Sequence, residues 1–547
     1  MLQRSLWSRI LSVWLVVACA LPFVPSVPVK AQTVPIQRQV FSMGYSHNAA
    51  IKTDGSLWMW GYNENGRLGD GTTTNRHIPT RILDGIVENA VAVCLAHTHS
   101  AAIQTDGSLW TWGWNKSGQL GDGTTGDKYI PVKIMDNVAE VCLKAGITAA
   151  IKTDGSLWMW GSNYCGQLGD GTTVDKYAPV KIMEDVVTVS LGWYHSAAIK
   201  TDGSLWVWGN NEFGQLGDGT TENKTTPVKL MENVATVKLY ESRNVAIKTD
   251  GSLWTWGCNK EYGVLGDNTT ENKYTPVKIM DNVAAVCLAS YCSAAIQKDG
   301  SLWMWGYNED GALGDGTTED KHFPVKVMEH AVEVSLGAWH SAAIQADGSL
   351  WMWGSNRFGQ LGDGTDEDKH TPVKIMDNVT AVELGTFRSA ALQTDGSLWM
   401  WGDNDFGELG DGTTEDKHSP VKVMDGLAFA ERYPTVKVNG QTVDFIDQKA
   451  VIKDSRTLVP ARGVFESLGA IVGWNDATQT ATVQKGTTFV QIPVGQSYIT
   501  VNDVKKELDV PAQLIGDRTM IPVRAVAEAF SCTVDWDDET YTVSIVG

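Results

Sequence analysis

Apolar and polar positions alternate in short bursts along most of this chain, and the bursts recur in a fixed order. In one representative stretch, "VVTVSLG" (186–192) alternates and predicts a first strand. "SAAIKT" (196–201) predicts a second, turned by Asp202-Gly203, a strong hairpin signal. "SLWVW" (204–208) predicts a third, and after a long loop rich in Gly and Asn, "PVKLM" (227–231) predicts a fourth. No unit carries a helical period.

The unit repeats eight times. "DGSLW" begins at Asp54, Asp106, Asp154, Asp202, Asp250, Asp299, Asp347 and Asp395, mostly 48 residues apart. "LGD" follows, ending at Asp70, Asp122, Asp170, Asp218, Asp315, Asp363 and Asp411, with Asp267 one residue late. A regular period of this length belongs to solenoids, propellers or arrays, and four antiparallel strands per unit describe a propeller blade. The expected fold is mainly β, a β-propeller of eight copies closing as seven or eight blades. In "LWVW" both indoles project to one face, and sixteen of the 23 tryptophans sit in this motif. They are expected to pack blade against blade, each buried ring contributing on the order of 2–3 kcal/mol.

"GNNEFGQLG" (209–217), preceded by "HSAAIKTDGSLWVWG" (195–209), resembles the regulator of chromosome condensation repeat, and the resemblance covers about residues 36–430. It implies a propeller, usually of seven blades, so eight copies depart from the family pattern. Nucleotide exchange on a nuclear GTPase, the family's best-known activity, resembles a function of an inserted wedge. The longest insertion here is four residues, around Asp84–Asn89, so that activity is not carried over. Secreted bacterial propellers of this family that bind and inhibit other proteins are the nearer analogy.

From about Tyr433 a different pattern begins. Residues 456–483 and 518–546 are two copies of one unit, each with a short helix after a Pro and then a hairpin. Val464, Phe465 and Leu468 line one face of the first helix; Val523, Val526, Ala527 and Phe530 line the second. Trp474 and Trp536 stand near the starts of the hairpins. The segment 434–547 resembles the copper amine oxidase N-terminal-like domain, a non-catalytic stalk module of bacterial envelope proteins, and implies a small α+β domain of two pseudo-repeats. It holds no histidine, which argues against copper. "AFSC" (529–532) departs from the family's Leu-Gly-Ala stretch and is expected to alter the end of the helix.

The formal charge of −20 argues against a phosphate-binding surface and no local basic patch stands out, so no nucleic-acid partner is expected. Arg4 and Arg9 precede "ILSVWLVVACALPFV" (10–24), and Val29–Ala31 offers a cleavage site, so residues 1–31 read as an export signal. "VVAC" ending at Cys19 also resembles a lipoprotein box, which would leave a lipid anchor there. An uncleaved anchor is the third reading, opposed by Pro22, Pro25 and Pro28. Either of the first two places the chain outside the cell or on its surface. Seven cysteines follow Cys19, an odd number, so a complete disulfide framework is excluded. Cys94, Cys142 and Cys287 share a register with Ser42, Ser190 and Ser335, as small packing residues do.

No nucleophile elbow, zincin helix, phosphate loop or zinc-spaced Cys pair is present, and no cofactor, metal or enzyme activity is expected. "HTH" (97–99) places two imidazoles on one predicted strand face without a third ligand. "GDNDFGE" (402–408) lacks a full calcium ligand series, and Asp70 and its equivalents are expected to fix a turn.

What varies between copies lies in two slots, the triplet before the second strand and the residue after "WG". Both loops emerge on the same face of an up-and-down blade. They carry Tyr45, His97, His99, Trp193, Tyr194, His195, Arg243, Tyr291, Trp339, His340, Phe387 and Arg388 in the triplets, with Trp114 and Tyr307 after "WG". Drift in exposed loops is one explanation. Against it, stretches such as "DKHTPVK" (368–374), expected to be exposed too, stay nearly fixed, and the variable residues are types enriched in binding hot spots. The histidines at the third triplet position, His47, His99, His195 and His340, have a second reading as satisfied residues packed within the blade. The sequence thus points to an exported, non-catalytic propeller whose rim binds an extracellular or envelope protein, with cell-wall glycan as the alternative partner.

Overall fold

Short alternating runs joined by Asp-Gly turns fold as hairpins, and in the computed structural model they assemble into eight four-stranded antiparallel sheets in strand order one-two-three-four. The structure describes residues 39–82, 87–144, 146–260, 262–427, 435–443, 445, 450–453, 456–515, 518–537 and 542–547. The export signal, the start of the propeller at 36, the boundary at 430–434 and most of the four-residue insertion lie outside the described residues.

The blades run over residues 41–81, 90–135, 138–183, 186–231, 234–280, 283–328, 331–376 and 379–424. In the fourth blade the strands are Val186–Leu191, His195–Lys200, Leu205–Gly209 and Lys224–Met231. The last strand starts three residues before the Pro227 that the pattern placed first. Pro227 is tolerated inside it because this strand forms the sheet edge, where no ladder partner needs an N–H.

Neighbouring blades are joined by one repeated bond. The second indole of each "LWxW" is fully buried, and its Nε1 donates to a loop carbonyl of the preceding blade: Trp208 to Gln167 O at 2.9 Å, Trp256 to Gln215 O at 3.1 Å. The first indole (Trp58, Trp206 and equivalents) is only half-buried and in seven blades donates to its own turn serine, as Trp206 does to Ser204 Oγ at 2.9 Å, while Trp303 donates to Gln297 Oε1 at 2.9 Å. The core role expected of both rings therefore belongs in full to the second.

Gly69 and its equivalents in "LGD" are fixed twice over. φ at Gly69 is +73°, and a Cβ there would stand 2.8 Å from Trp112 of the next blade.

The same bond closes the ring. Trp60 Nε1 of the first blade donates to Glu408 O of the eighth at 2.9 Å, beside Asn48 Nδ2 to the same oxygen at 2.6 Å and Thr53 N to Gly426 O at 2.8 Å. The first strands of all adjacent blades, the first and eighth included, touch one another around the centre. All eight copies are thus blades of one ring, which decides between seven and eight.

At the centre, the shared Ser/Cys register has a common task. Ser42, Ser190 and Ser335 Oγ accept the N–H of Leu95, Leu239 and Leu384 in the next blade at 3.1–3.3 Å. Cys94, Cys142 and Cys287 receive equivalent bonds from Leu143, Leu191 and Leu336. Either side chain is a small acceptor, hence the interchange. Cys94, Cys142, Cys165, Cys258, Cys287, Cys292 and Cys532 are free.

The C-terminal segment places its two helices (Ala461–Ser467 and Val523–Ala529) after Pro460 and Pro522. Val464, Phe465, Leu468, Val523, Val526 and Ala527 enter one core, with Phe530 at its margin. Arg456–Pro460 pairs antiparallel with Arg518–Pro522, so the two copies meet edge to edge. Thr435–Val438 pairs parallel with Thr542–Val546 and joins the segment's beginning to its end.

Candidate functional site

The loop between strands three and four is built by one asparagine. Asn211 is fully buried; its Oδ1 accepts Leu216 N at 2.8 Å, and its Nδ2 donates to Asp218 Oδ1 and Thr220 O, both at 3.1 Å. Asp218 Oδ1 also accepts Thr220 N and Oγ1, so the "LGD" aspartate does fix the turn. Burial raises its pKa, but the bonds from Thr220 and Asn211 and the charge of Lys224 outweigh this and hold it below the usual value.

The lysine of the fixed "DK" stretch is the partner of that aspartate: Lys176 to Asp170 at 2.9 Å, Lys369 to Asp363 at 3.2 Å. Its constancy is therefore structural, and the contrast between a fixed exposed stretch and the variable rim loses its force.

Both variable loops do emerge on one rim. In each blade the residue after "WG" donates its N–H to the 1–2 loop, as Asn210 does to Tyr194 O at 2.8 Å and Tyr307 to Tyr291 O at 2.9 Å. Residue Ala145 of the third triplet lies outside the described residues.

The structure divides the expected binding residues. Tyr45, His97, Trp193 and Tyr194 are exposed, Trp193 by 39%, and Trp114, Tyr291, Tyr307, Trp339 and Phe387 are half-buried on the rim. The third triplet position is not on the rim: His99, His195, His340, Arg243 and Arg388 are buried between blades. His195 Nε2 shares a hydrogen bond with Asn244 Oδ1 at 2.6 Å, His340 with Ser389 Oγ at 3.1 Å, and His99 with Thr148 Oγ1 at 3.2 Å, each in the next blade. Burial pushes His99 and His340 down to about 3 and His195 to about 4, so these imidazoles stay neutral at ordinary pH.

Arg243 donates to Ser290 O at 2.9 Å and Cys292 O at 3.1 Å, and Arg388 to Gly44 O at 2.8 Å. These five residues are corrected from binding candidates to ties between blades. The reason is register: the position opens the second strand opposite the "WG" glycine, inside the sheet. "HTH" accordingly does not share a face, since His97 sits in the loop and His99 in the strand.

On the rim the aromatic rings gather. Tyr262, Tyr291, Tyr307 and Trp339 from blades five to seven form one cluster, with Tyr291 stacked on Trp339 at 4.4 Å and 25°. Tyr262 lies 5.1 Å from Tyr307, and Tyr307 lies 5.4 Å from Trp339, both edge-on. A second group joins Tyr164, Tyr194 and Trp193, and smaller contacts pair Phe358 with Phe387, Tyr62 with Phe406 and Tyr45 with His97.

Sequence reasoning missed Tyr164, Tyr262, Phe358 and Phe406. The signal was a third variable slot, between Asn and Gly of "NxxG" ("NKEYG" in the fifth blade), which passes for loop filler until the next blade's rim residues are seen beside it.

Among the described residues one acidic group converges: Asp403, Asp405 and Asp416 each bring a carboxylate oxygen within 4.8 Å of the others. Burial, Glu408, Asp405 and Asp416 raise Asp403 to about 6.

Comparison with known proteins adds the following. The family described as the RCC1-like domain matches residues 20–337 and 245–443, and the copper amine oxidase N-terminal domain matches residues 437–545. The ultraviolet-B receptor UVR8 of Arabidopsis thaliana is 37% identical over 109 residues, 20% of this chain and 25% of that protein. Human protein RCC2 is 39% identical over 92 residues, 16% of this chain and 17% of RCC2. A protease inhibitor of Brevibacillus choshinensis is 38% identical over 111 residues, 20% of this chain and 33% of the inhibitor. The chain thus spans a third or less of the length of these relatives. Among solved structures, Prp20p of Saccharomyces cerevisiae aligns with a TM-score of 0.48 at 18% identity, over 67% of this chain and 94% of that one.

Proposed function

The chain belongs to the RCC1-like domain family, and from that premise we propose that its propeller is an exported, non-catalytic binding module whose variable rim holds a protein partner at the cell surface. The cluster of Tyr262, Tyr291, Tyr307 and Trp339 carries this reading. Four large rings from three blades stand half-exposed together on loops that a rigid ring positions, the composition and placement of an interface hot spot.

Arg4 and Arg9 before the apolar run support export, with release after Ala31 or lipidation at Cys19 as its two forms. The charge of −20 speaks against nucleic acid. The absence of a wedge-sized insertion in the sequence speaks against exchange on a nuclear GTPase. Likeness to a protease inhibitor makes inhibition of a secreted enzyme one form of the reading.

Trp193 and Tyr194 favour a second reading. Their rings stand 6.4 Å apart at 79° and are partly exposed, Tyr194 by 38%, and exposed aromatic rings can pack on sugar rings of the cell wall.

The test is retention of the mature full chain on cell envelopes, with and without protease treatment of the envelopes, beside a variant carrying Trp193→Ser, Tyr194→Ser and Trp339→Ser. Retention lost both after protease and in the variant supports a protein partner. Retention that survives protease and fails in the variant supports glycan. Equal retention of variant and wild type overturns the rim as the binding surface.

A further inference from the structure

The four-ring cluster is not electrically neutral ground, and its surroundings say what kind of side chain it accepts. We propose that the partner enters through a basic segment, an arginine or lysine side chain seated on Tyr262, Tyr291, Tyr307 and Trp339 and met by Glu309 and Asp310. This rests on the reading of the rim as a protein-binding surface and specifies the partner's chemistry.

Aromatic faces carry the negative end of the ring quadrupole and attract cations. Here four of them converge within 6.0 Å centroid distances. Two carboxylates follow Tyr307 by two and three residues. Glu309 is exposed and accepts from Tyr307 Oη at 3.1 Å. Asp310 is half-buried and has no hydrogen bond or ion pair within 4 Å among the described residues.

The field around Asp310 is divided but negative on balance. Burial raises its pKa, Asp368 and Glu309 raise it further by repulsion, and Arg357 and His370 offset them only in part. The Tyr307 phenol is likewise pushed up by burial and by Asp310 and Glu309.

An apolar side chain laid on this cluster would strip water from Asp310 and leave it unpaired, which is unfavourable. An acidic one would be repelled by Glu309 and Asp310, the two carboxylates that act on Tyr307. A guanidinium or ammonium satisfies the rings and the carboxylate together, with the net charge of −20 drawing a basic partner in from a distance.

The probes are two fluorescein-labelled peptides in a Gly/Ser frame, one carrying arginines and the other citrulline at the same positions. Citrulline keeps the shape and removes the charge. Anisotropy is read with the mature full chain at about physiological salt, where long-range attraction is screened. Wild type is expected to prefer the arginine peptide about tenfold. Trp339→Ser and Asp310→Asn are each expected to reduce that preference to about threefold or less, while Ile471→Ser, an exposed change in the C-terminal segment, keeps it.

Equal binding of the two peptides by wild type, or a preference untouched by Asp310→Asn, overturns the basic seat. The envelope assay keeps this separate from the parent reading. Equal peptide binding with retention still lost in the triple rim variant removes the basic seat and leaves the rim standing. Arginine preference with retention unchanged supports the seat and removes the rim as the envelope contact.

Discussion

At the scale of single residues, the two copies of the C-terminal unit test one another. Gly469 ends the first helix at φ +78°, and Ser531 stands in the same place at φ +62° in the second. The "AFSC" departure therefore leaves the left-handed turn in place but puts a Cβ on it, which disfavours the native state by about 1 kcal/mol. Ser531→Gly is expected to raise stability by roughly 0.5–1 kcal/mol, read as the chain's urea midpoint; an unchanged or lowered midpoint would contradict the strain. The same scale shows how far the site could be read. Aromatic content pointed to Trp193, Tyr194, Tyr291, Tyr307 and Trp339, which the structure sets in the 1–2 and 3–4 loops. It could not separate Tyr194 from His195, because adjacent positions differ only in whether the loop has yet become strand, and that is fixed by pairing with Gly209. Charge misled for the same reason: Arg243 and Arg388 look like surface residues until their guanidiniums are seen on carbonyls of the next blade.

At the scale of elements, the strands were legible because Asp-Gly turns and period-two alternation are local signals, while the long 3–4 loop was not. Its order comes from a buried asparagine whose partners lie five to nine residues away, a pattern with no local period. Asn211→Ala removes the bonds to Leu216, Asp218 and Thr220 at once and leaves Leu216 N and Thr220 O without their side-chain partner. At about 1–3 kcal/mol for each buried group left unpaired, the fourth blade is expected to lose roughly 2–4 kcal/mol. Hydrogen exchange at residues 214–220 should accelerate by at least tenfold in the variant, and unchanged protection there would show that the loop holds without its asparagine. Asn211→Asp is a sharper form of the same experiment. It keeps the acceptor for Leu216 N but sets a carboxylate against Asp218, so it should do harm at neutral pH and less in acid.

At the scale of the whole molecule, the ring closes where the chain's charge pattern changes. The central register is Ser or Cys in six blades, Lys238 in the fifth and Glu383 in the eighth, and Glu383 Oε1 accepts Met43 N at 3.0 Å across the closing seam. Nearby, Arg388 lies 3.8 Å from Glu408, whose carbonyl takes the bonds from Asn48 and Trp60. Nothing local in the sequence says that blade eight meets blade one. Burial pushes Glu383 up to about 7, with the Met43 N–H and Arg388 opposing and Glu333 adding to the rise. A raised carboxylate binds its proton in the native state across a pH range in which the unfolded chain has released it. Its contribution is present below the unfolded value near 4.5 and is lost as pH rises through about 7. Wild-type stability alone would not isolate this, because His99, His195 and His340, held down at about 3 to 4, work in the opposite direction below pH 6.5. The difference between wild type and Glu383→Gln cancels those common terms. Gln mimics the protonated acid and still accepts from Met43, so the two proteins should unfold alike at about pH 5. By about pH 8.5 the variant should be the more stable by on the order of 2 kcal/mol in urea titrations. A difference that does not change with pH would mean that Glu383 is solvated well enough to titrate as an ordinary carboxylate, and that the seam is no more sensitive to protons than its neighbours.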